Sequence, residues 1–111
     1  FPAVAQIALP ALRQFRKEGR PDNEAYIQTL LLLLSQVEDT NILSRSNQAT
    51  LAEAQAAAQE VLAKGGAFTK EGMEAVWELN KRFVEKNISP GGCADLLILA
   101  IFLENMEGLM E

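Results

Sequence analysis

Residues 87–102, NISPGGCADLLILAIF, decide how this chain is read. The stretch opens as a polar, glycine-rich turn and passes at once into one of the most apolar runs in the chain. Ser89 is a good N-cap residue, and Pro90 suits the first helical position, where its missing N–H is no loss. The spacing predicts a helix from there to about Glu104 or Met106. Its body is apolar nearly all round, as expected of a helix with neighbours on every side. One carboxylate, Asp95, falls in its first turn. A loop suited to meeting a ligand is joined to a helix suited to burial.

Four further helices follow from the same reasoning. The first covers about residues 3–17, with a kink or break near Leu9 because Pro10 removes a donor and crowds the preceding turn. The second covers about residues 23–37, capped by Asp22. Its Tyr26, Ile27, Leu30, Leu31, Leu33, Leu34 and Val37 occupy nearly every side. The third, about residues 48–64, is Ala-rich and ends at Gly65. Thr69 caps the fourth, whose Met73, Val76, Trp77, Phe83 and Val84 form one apolar face, and Asn87 closes it. Residues 38–47, EDTNILSRSN, are rich in side chains that compete with helical hydrogen bonds and are expected to form a turn or irregular connection. No useful run alternates at period two, so no strand is expected. The prediction is a single all-α domain over residues 1–111, a compact bundle of about five helices with the second and fifth central.

Composition narrows the function. The 111 residues suffice for one core that buries roughly 65% of the unfolded surface. Net charge is -5 and no basic stripe exists, which argues against a nucleic-acid partner. The absence of histidine removes the commonest acid–base catalyst and zinc ligand from this chain. The single cysteine, Cys93, cannot form an internal disulfide, which suits a reducing cytoplasm, and a small packed side chain is its expected role. The opening FPAVAQIALPALRQF lacks the basic start of a signal peptide, and the longest apolar runs are too short to span a bilayer, so no membrane is expected. The start on Phe1 suggests a fragment or processed product.

Two polar segments carry the candidate chemistry. In the second, Gly91 and Gly92 permit close backbone approach, and the free amides of a helix's first turn favour an anion such as phosphate. Asp95 would sit beside that anion and hold a metal, a hydroxyl or a developing cation. On the residues alone, a good helix start with a first-turn carboxylate on the dipole is the plainer reading. In the first segment, Glu38 and Asp39 follow the end of a buried helix, where carboxylates oppose the dipole. A divalent cation or a basic side chain would relieve the conflict, and Arg45 is placed to pair with Asp39 or with a phosphate. A solvated loop with an internal salt bridge is the plainer reading.

Together, LLSQVEDTNILSR (residues 33–45) and NISPGGCADLL (residues 87–97) resemble the triphosphoribosyl-dephospho-coenzyme A synthase family. FPAV, LPALR and AKGG are also similar to the family, in the same order along the whole chain. Ser46-Asn47 stands where the family pattern has Gly-Gly, and Cys93 where it has Ser. The resemblance covers the C-terminal part of the family, less than half of it, and lacks the N-terminal motifs. It implies a transferase that moves the triphosphoribosyl unit of ATP onto 3′-dephospho-coenzyme A and releases adenine. The product is a precursor of the citrate lyase or malonate decarboxylase prosthetic group.

On that resemblance, Asp39 and Asp95 are the candidate catalytic carboxylates, with Asp39 also a metal ligand for the Mg2+ that accompanies ATP. Thr40, Asn41, Arg45, Asn87, Ser89, Gly91 and Gly92 are the candidate substrate contacts. Asp39, Asn41, Arg45, Ser89, Gly92 and Asp95 should line one cleft if the second and fifth helices pack antiparallel, with the missing N-terminal part as the opposite wall. The fragment alone should be inactive, and an exposed apolar surface led by Phe1, Val4 and Ile7 should drive self-association. A non-catalytic helical interaction module is the competing reading. Convergence of Asp39, Arg45 and Asp95 in one cleft would favour the enzyme.

Overall fold

A computed structural model describes residues 2–110, with side chains through residue 107. Six α-helices are formed: α1 Leu9–Lys17, α2 Asp22–Gln36, α3 Thr40–Arg45, α4 Gln48–Ala63, α5 Lys70–Glu85 and α6 Gly91–Met110. A π turn, Val4–Ala8, precedes α1, and a 3-10 turn, Gly66–Phe68, joins α4 to α5. Among the described residues there is no strand, so the all-α expectation holds. The helix beyond the expected five is α3, in the segment read as irregular.

The expected disturbance at Pro10 takes a specific form. A proline in an α-helix clashes with the carbonyl four residues earlier, here that of Gln6. The chain widens there into the π turn, in which the Leu9 amide reaches back to the Val4 carbonyl. Regular α-helix resumes at Leu9. Val4 is buried and Ile7 half-buried, so the expected apolar surface on the first helix does not form at these two residues; Phe1 lies outside the described residues.

Helix α2 is central, packed by α1, α4, α6 and both short turns. Leu31, Leu33 and Leu34 are buried on it, and the hydroxyl of buried Thr29 is satisfied by the Ala25 carbonyl at 2.7 Å. Helix α4 returns alongside α2, and its Gln55 and Gln59 donate to the Val37 and Ser35 carbonyls at 3.0 and 3.1 Å. They thereby satisfy acceptors that a helix C-terminus leaves open. Helix α6 lies antiparallel to α2. Its start abuts Asp39, just beyond the end of α2, while Glu104 near its far end is paired with Arg16, ahead of the start of α2. Arg13 and Glu107 form a second two-point ion pair between α1 and α6. Phe68 of the 3-10 turn meets Phe15 edge-on at 4.9 Å and lies under the Arg20 guanidinium at 4.0 Å, which fixes that turn to the end of α1.

Two expectations of burial are corrected. Helix α6 is not enclosed: Cys93, Leu97, Ala100 and Glu104 face the core, but Ile98, Phe102 and Met106 are exposed. On α5, Leu79 and Phe83 are buried, whereas Trp77 is 68% and Val84 72% exposed. In both helices the apolar residues span a wider arc than the neighbouring helices cover, and apolar character alone does not say which part of that arc is buried.

Leu97→Asp should unfold the domain, because an unpaired charge in the core costs more than about 3 kcal/mol. Trp77→Ala should change stability by less than about 1 kcal/mol. Chemical denaturation of the two variants checks the burial pattern, and equal midpoints would contradict it.

Candidate functional site

The polar end of the bundle is organised by Asp39. Its backbone is extended, and its carboxylate caps α3: Oδ1 accepts from the Asn41 amide at 2.9 Å and from the Ile42 amide at 3.1 Å. The same carboxylate also receives the start of α6. Oδ1 accepts from the Gly92 amide at 3.2 Å and Oδ2 from the Cys93 amide at 2.9 Å. Two helix N-termini, each with a partial positive charge, therefore point at one carboxylate. Asp39 is 1% exposed, and a buried carboxylate needs such a shell of donors.

This geometry alters several sequence expectations. Asp39 meets no dipole conflict, because it belongs to the start of α3 rather than to the end of α2. Its partners are backbone amides, not Arg45. The amides expected to be capped by Ser89, or to receive a phosphate, are occupied by Asp39. The carboxylate thereby positions both helix starts, Oδ1 accepting from three amides and Oδ2 from one.

The two glycines serve this packing. A Cβ on Gly92 would stand 2.9 Å from Asp39 Oδ1, and one on Gly91 would stand 3.0 Å from Asn41 Nδ2. Asn41 Nδ2 also donates to the Ser89 carbonyl at 2.8 Å, a second tie between α3 and the loop before α6. Cys93 is wholly buried beside Asp39. Burial foremost, and then the Asp39 charge, pushes its thiol up to about 12, so it remains a protonated packing residue as expected.

Above Asp39 lies a cleft of about 470 Å³ lined by Thr40, Asn41 and Ser44 from α3 and by Gly91, Gly92 and Asp95 from α6. The structure thus brings five predicted residues together: Thr40, Asn41, Gly91, Gly92 and Asp95. Asp39 lies beneath them rather than among them. Three others fall elsewhere. Arg45 is exposed at the end of α3. Asn87, at φ +56°, sits in the turn after α5. Ser89 lines an apolar groove of about 250 Å³ that includes Leu30, Val76 and Val84. Ser44 was missed by sequence reasoning; it lies one turn from Thr40, a relation visible only once residues 40–45 are read as a helix. Among the described residues, no group of three or more acidic, cysteine or histidine side chains could hold a metal ion. No helix among them is long and apolar enough to cross a membrane.

Asp39→Ala would leave four amides at two helix starts without their acceptor, and should cost about 3–5 kcal/mol. Gly92→Ala should cost about 1–3 kcal/mol by forcing its Cβ against the carboxylate. Because that clash is with Asp39, the Gly92→Ala penalty should largely disappear in the Asp39→Ala background. A double-mutant cycle by denaturant titration, if the Asp39 variant folds, measures the coupling. Strict additivity would place the strain elsewhere.

Comparison with known proteins gives a consistent result. The family model described as CitG, ATP:dephospho-CoA triphosphoribosyl transferase, matches residues 1–111. A probable 2-(5''-triphosphoribosyl)-3'-dephosphocoenzyme-A synthase of Malonomonas rubra is 38% identical over 91% of this chain and 32% of its own length. The corresponding synthase of Klebsiella pneumoniae is 37% identical over 97% of this chain and 39% of its own length. A probable synthase of Azotobacter vinelandii is 37% identical over 99% of this chain and 38% of its own length. The chain therefore spans less than two fifths of each of these relatives. No solved structure matches it. The match over every residue and the relatives' identity lead to one conclusion: the chain belongs to the ATP:dephospho-CoA triphosphoribosyl transferase family.

Proposed function

We propose that this chain supplies one wall of the site at which a triphosphoribosyl unit passes from ATP to 3′-dephospho-coenzyme A. In that reaction the bond between the ribose anomeric carbon and adenine breaks. A ribose hydroxyl of the acceptor forms the new bond to that carbon, and its proton leaves with adenine. Positive charge builds on the ribose ring as the bond to adenine lengthens, and a nearby carboxylate stabilises it. Asp95 suits this role, being an exposed carboxylate that lines the cleft. Thr40, Ser44 and Asn41 beside it suit ribose or phosphate oxygens. Of the expected trio Asp39, Arg45 and Asp95, only Asp95 lines the cleft, and what supports the reading is instead the convergence of α3 and α6 on one polar cleft.

The catalytic assignment therefore narrows to Asp95, with Asp39 holding the wall in place. An Mg2+ ion does not fit these residues as a protein-only site. Asp39 is committed to amides, and Asp95 is the single carboxylate lining the cleft. Such an ion would arrive with the triphosphate, whose oxygens supply most of its ligands. Arg45, Asn87 and Ser89 remain candidates for substrate contact outside the cleft. A cytoplasmic setting fits these substrates.

In a full-length protein, meaning this chain joined to the further segment its relatives carry, Asp95→Asn should lower adenine release from ATP and dephospho-coenzyme A by roughly 100-fold or more. Its melting temperature should stay within a few degrees of the parent's. Turnover within threefold of the parent would remove Asp95 from the reaction. Adenine release by the 111-residue chain alone at the full-length rate would show that this wall is already a whole site.

A further inference from the structure

Beyond its first turn, one flank of α6 is open to solvent among the described residues. At 3.6 residues per turn, Gly91, Asp95, Ile98, Phe102 and Met106 fall on one side of this helix. The opposite side carries Cys93, Leu97, Ala100 and Glu104, all buried. Ile98 is 64% and Phe102 60% exposed, and Met106 and the adjacent Leu103 are also open to solvent. A contiguous apolar stripe of this kind marks an interaction surface.

Two observations indicate its occupant. The chain covers only 32–39% of the relatives from Malonomonas rubra and Klebsiella pneumoniae, so proteins of this family carry a large further segment. The stripe also runs directly into the polar cleft, since Gly91 and Asp95 at its head are cleft-lining residues. A body resting on Ile98, Phe102 and Met106 would stand over that opening.

We propose that this stripe of α6 is the seat of the segment that the longer relatives carry beyond the matched region. Docked there through an apolar face of its own, that segment closes the cleft between Thr40 and Asp95 as a second wall. The enclosure of the cleft rests on the functional reading above, whereas docking on the stripe can be tested independently of any turnover.

The test is thiol accessibility. Cys93 is buried with its thiol pushed up to about 12, so the background of the 111-residue chain should be silent. Labelling of the unsubstituted full-length protein gives the background to subtract there. Phe102→Cys and, separately, Ile98→Cys are introduced into this chain and into the full-length protein, and labelled with a maleimide. Sedimentation fixes the oligomeric state of each sample. Both thiols should react quickly in the 111-residue chain and at least tenfold more slowly in a full-length monomer. Equal rates in the two proteins would overturn the proposal. So would protection that grows with concentration in the 111-residue chain, because the occupant would then be a second copy. Two positions are used so that poor folding of one variant leaves the other to decide. Loss of the proposed catalytic role of Asp95 would leave this result unchanged.

Discussion

A single buried carboxylate holds the polar end of this bundle together. Asp39 accepts from the amides of Asn41, Ile42, Gly92 and Cys93, which belong to two helices far apart in sequence. Removing a charge from water is costly, and the cost is met only because both helices present their N-terminal donors to it. With six residues, α3 is too short to be stable by itself. It exists because its first turn is anchored, and the anchor also sets where α6 begins. The direction of α2, the presence of α3 and the start of α6 all meet at this side chain.

The motif around Gly91 and Gly92 takes a different meaning in this setting. Paired glycines before a helix suggest space for a ligand, but here the space is taken by Asp39 and Asn41. Cys93, in a place where the family pattern has serine, is buried under the same carboxylate. The residue there answers to packing rather than to an open hydroxyl contact. What remains for a ligand is the outer layer of the same end: Thr40, Asn41, Ser44 and Asp95. These four polar side chains and the two glycines line the same cleft.

Much of the architecture was legible in local patterns. Thr69 caps α5 through the Gly72 amide at 2.9 Å, Gly65 ends α4 at φ +104°, and Leu31, Leu33 and Leu34 of α2 are core. These features depend on residues a few positions apart. Helix α3 was not legible, because Asp, Thr, Asn and Ser favour turns unless a partner fixes them, and the partners of Asp39 on α6 lie 53 and 54 positions away. The uncovered sides of α5 and α6 were hidden for another reason. A helix apolar all round, as α6 is, gives no sign of which flank lacks a neighbour, and the broad apolar face of α5 does not say which part of it is covered. The residues of the cleft were mostly foreseen, whereas their layering around Asp39 required three dimensions.

The π turn before α1 bears on how this part of the fold tolerates change in length. A π turn is an α-helix with one extra residue looped out, and here it lets Pro10 sit without striking the Gln6 carbonyl. It also offsets the residues before it from those after it, so that Val4 and Ala8 reach the core together with Leu9 and Leu12. Loss of one residue between positions 4 and 8 would leave α1 in register, but the ordinary helical repeat it restores would bring back the proline clash and turn Val4 from the core. The same loss inside α2 would rotate every leucine beyond it by about 100°. The turn thus confines the effect of a one-residue change to the segment ahead of α1, whereas the same change within α2 would reach the centre of the bundle.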